Sequence, residues 1–276
     1  MVITHRGKFN NGTNENTIPA FEAALKAGAD AVECDLRLTK DNQAVVYHDS
    51  NLSINGKRLK VSKTSLKNLK SISKRHSGLS RISLHHMANG EILESQASPD
   101  PQNDEFERAN GLLTINDLFD FINQKRVPFF LEAKTRSPIL IETIVKQTQD
   151  RNLWSYVHIM GFSLFIKNAL RAQAKHEKLR VLPIINFPLY SYIKKPPKSY
   201  GLFIGWIDQW YGSGLIFRKL ISAKRLTKLK NFYQDKGFKV MAGVINNKTG
   251  FEYFKKAGIE DIVTDNIKDA VGYFKK

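Results

Sequence analysis

A single cysteine, Cys34, is present among the 276 residues of the sequence. One thiol excludes an intrachain disulfide and any zinc site built from several cysteines. The sequence also lacks a run of roughly 18 apolar residues, the length that a membrane-spanning helix needs. Its first residues, MVITHRG, do not show the basic and then apolar segments of a secretory signal. We therefore expect a soluble, disulfide-free protein of the cytoplasm.

Acidic residues are scarce, with 26 Asp and Glu against 43 Lys and Arg and a formal net charge of +17. Such an excess predicts an anionic partner, which could be a nucleic acid, a phosphate ester or a membrane surface. The first fifty residues nevertheless contain seven acids against five bases, whereas residues 57–81 contain nine bases and no acid. Two interpretations stay open: these acids hold a cation, or they are ordinary surface scatter.

Short apolar or aromatic segments alternate along the chain with helical segments. The predicted strands are 2–6, 31–38, 44–48, 128–134, 157–162, 180–186, 202–207, 239–245 and 261–265. The predicted helices are 17–27, 114–125, 138–151, 163–176, 216–235, 248–257 and 266–274. This alternation predicts an α/β fold with a parallel sheet, either closed as a TIM (β/α)8 barrel or open and doubly wound. A barrel needs eight strands, so one of the first three should lie outside the ring or form a hairpin extension.

The alternation is interrupted between residues 50 and 112. This part of the chain is rich in Ser, Asn, Lys and His and ends in the acidic segment SPDPQNDEFE. A structureless loop of that length is uncommon in a compact domain, so we interpret residues 51–111 as a small inserted subdomain. We interpret its histidines, His76, His85 and His86, as surface or lid residues in preference to metal ligands.

Two carboxylates and a histidine are expected to converge on the early strands. The second and third predicted strands are joined by five residues, and a connection that short forces antiparallel pairing. A two-residue turn at Asp41 and Asn42 would place Asp35 directly opposite His48. Glu33 lies on the same face as Asp35, because the two residues are two positions apart on one strand. A shift of one residue in this register would move His48 to the other face.

Neighbouring carboxylates repel each other unless they share a cation or a proton. Oxygen ligands favour a hard divalent ion, Mg²⁺ or Ca²⁺, and Glu132 and Glu15 offer further carboxylates near the ends of other segments. Arg6 suits a phosphate oxygen, and His5 and His48 suit acid–base chemistry near neutral pH. Each residue taken alone is typical of an ordinary strand end or a solvated face. Their occurrence together in this order indicates a metal-assisted phosphate site.

These residues lie in segments that resemble a known family. HRG, ENT and AFEAALKAGADAVECDLRLTKDNQAVVYHD, all within residues 3–49, resemble the glycerophosphodiester phosphodiesterase family, and FFLEAK (129–134) resembles its later strand motif. The resemblance implies a TIM barrel that uses one divalent cation, Mg²⁺ or Ca²⁺. It implies as metal ligands Glu33, Asp35 and Glu132, with Glu15 acting directly or through water. It also implies catalytic acid–base roles for His5 and His48, without distinguishing them, and substrate binding by Arg6 and Lys134.

The reaction implied by the resemblance is metal-dependent hydrolysis of a glycerophosphodiester to glycerol 3-phosphate and an alcohol. One alternative is lysophospholipase D-like hydrolysis of lysophospholipids at a membrane surface. Another, of a different class, is a catalytically silent barrel that binds a phosphate ligand, although the intact set of site residues speaks against it. The sequence departs from the family where a Trp usually precedes Thr-Val-Asn, because residues 243–246 read GVIN, which reshapes one wall of the site.

Residues 186–220 interleave aromatic and basic side chains. One interpretation is that Phe203, Ile204 and Trp206 belong to a core strand and that the lysines are simply solvated. The other is peripheral contact with an anionic membrane, which we favour over nucleic acid because nucleic-acid binding rests on net charge alone. Residues 215–230 are interpreted as an amphipathic basic helix, which supports membrane contact.

Overall fold

The computed structural model describes residues 1–8, 14–54, 57–71, 112–185 and 198–275. The strands in these ranges are β1 (Val2–His5), β2 (Ala31–Leu38), β3 (Ala44–Val46), β4 (Asn51–Ile54), β5 (Lys57–Lys60), β6 (Phe129–Ala133), β7 (Val157–Phe162), β8 (Arg180–Ile185), β9 (Gly201–Ile204), β10 (Lys239–Ala242) and β11 (Ile262–Thr264). The helices are α1 (Ile18–Lys26), α2 (Ile115–Lys125), α3 (Pro138–Asp150), α4 (Lys167–Lys175), α5 (Ser213–Leu220), α6 (Ala223–Gln234), α7 (Lys248–Lys256) and α8 (Ile267–Phe274), with a 3₁₀ turn at Val61–Lys63.

A closed parallel barrel forms the centre of the fold. The described strands pair in the order β1, β2, β6, β7, β8, β9, β10 and β11, and β11 returns to pair with β1. Every pairing within this ring is parallel. The predicted TIM (β/α)8 barrel is therefore confirmed, and the open doubly wound sheet is excluded. β3 pairs antiparallel with β2 outside the ring, as the predicted hairpin extension requires.

The strands are almost continuously apolar because both of their faces are buried. All five residues of β6 are buried, and the same holds for all of β1 and most of β2. Side chains that point into the barrel form a separate apolar cluster, which includes Ile3, Phe130, Met160, Leu182, Phe203, Met241 and Val263. The outward-facing residues pack against the helices in two larger clusters. Phe203, Ile204 and Trp206 are buried, so their assignment to the core is confirmed.

Helix boundaries follow local capping chemistry. Thr17 caps α1, and Thr114 forms with Asp117 the two reciprocal hydrogen bonds of a capping box at the start of α2. The prediction of one helix over 216–235, and with it the basic helix over 215–230, was wrong. The chain is extended at Ile221, and the Ser222 hydroxyl accepts a hydrogen bond from the Arg225 amide, so that a new helix starts at that point.

The predicted register of the β2–β3 hairpin was also wrong. Leu36 pairs with Val46, which places Tyr47 opposite Asp35 and moves His48 one position beyond it. The physical reason is the turn, which has three residues, 40–42, where two were expected. Asn42 takes the left-handed conformation (φ 57°) that ends such a turn, and the extra residue shifts every pair by one.

The insertion is described in part. β4 and β5 form a hairpin, and its neighbourhood contains a small apolar cluster of Val45, Leu52, Val61, Leu69 and Leu112. The histidines at 76, 85 and 86 lie outside the described residues, as do residues 186–197 of the basic and aromatic segment. A subdomain over residues 51–111 therefore stays a prediction. None of the described helices has the length and apolarity to span a bilayer.

Candidate active site

Three neighbouring strands bring the predicted site residues together at the carboxyl end of the barrel. β2 lies between β1 and β6, and the register aligns His5 with Glu33 and Asp35 with Glu132. Residues in register on adjacent strands have their side chains about 5 Å apart, so this alignment alone assembles the group. The carboxyl end of a barrel is where its catalytic residues are normally found.

Glu33, Asp35 and Glu132 form a buried acidic triad. Each can offer a carboxylate oxygen such that the three oxygens lie within 4.8 Å of one another. Burial, followed by the charges of the other two acids, raises the pKa of Glu33 well above its ordinary value, and burial also raises that of Glu132. Burial opposes ionisation of Asp35 as well, but Lys134 and Arg6 outweigh it and lower the pKa of Asp35 to about 2. The triad therefore requires compensating positive charge.

Two cations supply part of this charge. Lys134 Nζ lies 3.1 Å from Asp35 Oδ1 and 2.7 Å from Glu132 Oε1. Arg6 Nε lies 3.0 Å from Asp35 Oδ2, while its Nη1 donates to Glu15 Oε1 at 2.8 Å. The two predicted substrate-binding residues thus lie against the acids. Glu15 contacts Arg6 and is not one of the three residues whose oxygens converge.

The donor set fits a hard divalent cation. Glu33 Oε1 is buried and has no hydrogen-bond partner among the described residues, so an electron pair is available on the triad. All three convergent ligands are carboxylate oxygens, which Mg²⁺ and Ca²⁺ prefer. The expected metal site is therefore chemically plausible for Glu33, Asp35 and Glu132, and a role for Glu15 stays a prediction.

Both predicted histidines border the cavity that Glu33 and Glu132 of the triad also line. His5 Nδ1 lies 2.8 Å from Asp265 Oδ1, and its Nε2 lies 3.9 Å from Glu33 Oε2. His48 follows β3 and places its Nδ1 2.7 Å from Asp49 Oδ1. Burial, together with the charges of nearby cations, lowers the pKa of His48 despite the opposing effect of Asp35. His48 therefore reaches the site from the turn after β3, although the predicted strand pairing was wrong.

Asp265 is a site residue that sequence reasoning did not identify. It follows β11, and its second oxygen accepts hydrogen bonds from Asn246 Nδ2 (2.7 Å) and Gln209 Nε2 (3.2 Å). Burial opposes ionisation of Asp265, but the hydrogen bond to His5 and the His5 charge lower the pKa of Asp265 to about 2. The sequence could have indicated Asp265 by its position at the end of the last predicted strand, because closure of the barrel places the last strand beside the first.

The cavity has a volume of about 170 Å³ and two chemically different sides. One side is lined by the charged and imidazole groups His5, Arg6, Glu33, His48, Glu132 and Lys134. The other side is mainly apolar, and its larger side chains are Met160, Phe162, Ile184, Phe203, Ile207 and Trp210. Gly243 and Val244, from the GVIN segment, also line the cavity. A wider groove around Arg180 and Tyr200 lies at the amino-terminal end of the strands, away from this site.

A barrel that gathers acids, imidazoles and cations around one cavity has the groups expected of an enzyme acting on phosphate esters. The model of the glycerophosphoryl diester phosphodiesterase family matches residues 5–269. The chain belongs to this family and is accordingly a phosphoric diester hydrolase.

Similar proteins agree with this assignment. A glycerophosphodiester phosphodiesterase of Caldanaerobacter subterraneus subsp. tengcongensis is 25% identical over 283 residues, covering 100% of this chain and 98% of its own. A mouse protein named lysophospholipase D GDPD3 is 25% identical over 294 residues, covering 96% of this chain and 78% of its own. The structure of an Oleispira antarctica phosphodiesterase in complex with sn-glycerol-3-phosphate superimposes with a TM-score of 0.69 at 18% identity, covering 100% of this chain and 97% of that chain.

Proposed function

We propose that this protein hydrolyses glycerophosphodiesters to glycerol 3-phosphate and an alcohol, with one divalent cation and two histidines. The observation that supports this proposal most directly is the buried triad of Glu33, Asp35 and Glu132, two members of which line one cavity together with His5 and His48. The names of relatives support the substrate class, since one is a glycerophosphodiester phosphodiesterase and another was solved with sn-glycerol-3-phosphate.

Glu33, Asp35 and Glu132 would hold the cation, with Glu15 as a further ligand, directly or through water. A bound Mg²⁺ or Ca²⁺ would supply positive charge that stabilises the phosphoryl oxygens as negative charge develops on them. Arg6 and Lys134 line the same cavity and can donate to phosphate oxygens. Together these groups would orient the diester and counter its charge.

The two histidines would move the protons of the reaction. Asp265 holds His5 through Nδ1, and Asp49 holds His48 through Nδ1, which leaves Nε2 of each ring available for proton transfer. One ring would accept the proton of the attacking hydroxyl, which belongs either to water or to the substrate's own glycerol. The other would donate a proton to the leaving alkoxide.

Release of choline from glycerophosphocholine tests this proposal. Activity should be lost with a chelator and return on addition of Mg²⁺ or Ca²⁺, and Glu132→Gln should weaken the response to the metal. His5→Ala and His48→Ala should each lower kcat by about 10²–10⁴-fold, the usual range for acid–base groups. His176→Ala, outside the cavity, is the matched control and should keep full activity. Full activity of His48→Ala, or activity that is insensitive to chelation, would contradict the proposal.

A second candidate is lysophospholipase D-like hydrolysis, which the apolar side of the cavity favours. Met160, Phe162 and Ile207 line the same cavity as the charged groups and could hold the acylglycerol part of a lysophospholipid. The mouse relative is named a lysophospholipase D. Such substrates lie in membranes, so with this activity we propose a cytoplasmic protein that contacts an anionic lipid surface peripherally.

Parallel assays on lysophosphatidylcholine and glycerophosphocholine distinguish the two candidates. Ile207→Ser should reduce kcat/KM for the lysolipid by about tenfold, because it removes apolar contact worth roughly 1–2 kcal/mol, and should leave the water-soluble diester nearly unaffected. Equal effects on both substrates would remove the support for the second candidate.

A further inference from the structure

Exposed apolar side chains are concentrated beside the mouth of the active-site cavity. Among the described residues, eight large hydrophobic side chains are exposed, and five of them lie within residues 210–220. We call these five the α5 surface, and its members are Trp210, Tyr211, Leu215, Ile216 and Leu220. Trp210 also lines the cavity, so the α5 surface begins at the entrance to the site.

Helix α5 cannot rotate to bury this surface, because its opposite face is already fixed in the core. A Cβ at Gly214 would lie 2.6 Å from Trp206 Nε1, which shows how closely the helix approaches the indole. Phe217 packs on the same indole with ring centroids 5.2 Å apart. Helical geometry then directs Leu215, Ile216 and Leu220 away from the core. A helix on a protein surface normally presents polar residues to water, and α5 presents apolar ones.

The turn before α5 is held by hydrogen bonds. The Trp210 amide donates to the Ile207 carbonyl at 2.9 Å, the Ser213 amide donates to the Trp210 carbonyl at 3.0 Å, and the Ser213 hydroxyl donates to the Ile207 carbonyl at 2.9 Å. Trp210 is about half exposed, and Tyr211 is fully exposed. The two aromatic residues are therefore displayed on an ordered turn, next to the apolar face of the helix.

Positive charge flanks the α5 surface. Lys219 on α5 and Lys224 and Arg225 at the start of α6 are exposed, and α6 contains four bases and no acid. Within residues 180–230 the one acid is Asp208, whose oxygens accept hydrogen bonds from Trp206 and from residues 246 and 247. The exposed charge around the apolar residues is therefore entirely basic within the described part of this segment.

We propose that the α5 surface docks on an anionic lipid bilayer and places the cavity mouth at the membrane. Trp and Tyr favour the interface between lipid and water, Leu and Ile favour the acyl region, and neighbouring Lys and Arg attract anionic headgroups. A second copy of the chain fits less well, because symmetric pairing would bring the basic flanks of the two copies together. This inference builds on the second proposed activity, lysophospholipid hydrolysis, because it names the surface that would contact the membrane. Docking itself does not require hydrolysis.

Co-sedimentation with vesicles tests the inference on the full chain. Vesicles of phosphatidylcholine with 30% phosphatidylserine should bind the protein at low salt, and high salt should weaken binding, as should pure phosphatidylcholine. The double variant Leu215→Ser/Ile216→Ser should bind at least about tenfold less, since it removes two apolar anchors. Lys224→Gln/Arg225→Gln should also bind about tenfold less.

Two matched control variants make the same kinds of substitution outside the α5 surface and its basic flank. Phe232→Ser alters an exposed apolar side chain on α6, and Lys175→Gln/Lys178→Gln removes two exposed bases at the amino-terminal end of the barrel. Both should bind vesicles like the unaltered protein. Far-UV circular dichroism and hydrolysis of glycerophosphocholine should be unchanged in the two docking variants, because none of their residues lines the cavity.

Tryptophan fluorescence gives a second measurement. Binding should shift the emission of Trp210 to shorter wavelength, and Trp210→Phe should remove the shift. The proposal is overturned by no binding at low salt, by docking variants that bind as well as the controls, or by a dimer that Leu215→Ser/Ile216→Ser dissociates in the absence of lipid. Vesicle binding without any phosphodiester hydrolysis would support docking and refute the proposed function.

Discussion

The contact between Asp265 and His5 leads to a prediction about catalysis. Asp265→Asn keeps the size of the side chain but removes the negative charge that faces His5 Nδ1 at 2.8 Å. We expect kcat for a water-soluble glycerophosphodiester to fall while KM changes little. His5 would lose the partner that sets its orientation, and the binding groups Arg6 and Lys134 would be left in place.

The size of the effect follows from the pKa of Asp265. This pKa is about 2, against an ordinary value of 3.8, even though burial acts in the opposite direction. The lowered pKa corresponds to roughly 2 kcal/mol of preference for the charged carboxylate in the folded protein. His5 is the largest favourable contributor, and Asn246 follows. If about 2 kcal/mol of this interaction is used in the transition state, kcat should fall about 30-fold.

The measurement is a steady-state assay of choline release at several pH values. Asp30→Asn is the matched control. Asp30 accepts a hydrogen bond from the amide of Val2, at the opposite end of β1 from His5, and it does not reach the cavity. It should leave kcat within about twofold, in line with roughly 0.4 kcal/mol. An unchanged kcat in Asp265→Asn would refute the reasoning. An equal fall in the kcat of Asp30→Asn would also refute it, as would a fall in the kcat of Asp265→Asn that is explained by unfolding of this variant at the assay temperature.

Three further predictions concern stability and are measured by urea unfolding. Burial lowers the pKa of His158 from 6.5 to about 4, so its ring is neutral in the fold but charged in the unfolded chain at acidic pH. The free energy of unfolding of the unaltered protein should therefore fall by about 2 kcal/mol more than that of His158→Gln between pH 7 and pH 5. The same difference in unfolding free energy between the two proteins at both pH values would contradict this. Thr114→Ala should cost about 1 kcal/mol by removing the cap of α2, and no loss would argue against the capping box. Gly214→Ala should cost about 1–3 kcal/mol because its Cβ would meet Trp206, whereas Gly272→Ala, which meets nothing within 4 Å, should be neutral or stabilising.

Much of the site was predictable because its residues lie at the ends of recognisable strands. The apolar segments around Glu33 and Glu132 have the composition of strands buried on both faces, and alternating helices imply a parallel sheet. All carboxyl ends of a parallel sheet point the same way, so acids and histidines near the ends of its strands come to lie along one edge. This rule does not depend on any distant contact, and it placed His5, Asp35 and Glu132 correctly on one edge.

Details that depend on one residue of turn geometry were not predictable in the same way. Asp41 and Asn42 are compatible with a two-residue turn, and the third turn residue, Lys40, has no special propensity that reveals its role. The choice between two and three residues depends on how Asn42 is accommodated and on how the hairpin packs. The same limit applies to 216–235, where a continuous helical pattern conceals the cap at Ser222.

The amino-acid order alone specified an α/β fold with a parallel sheet and most of the groups around its cavity, because strand and helix patterns are local and strand direction follows from them. The resemblance to a known family added the closed barrel. Three-dimensional closure was needed to place Asp265 on His5, since these residues are 260 positions apart and meet because β11 pairs with β1. Packing of Gly214 and Phe217 on Trp206 likewise determined which side of α5 faces outward. Contacts between distant parts of a chain depend on how its elements pack, and a local sequence pattern does not predict that packing.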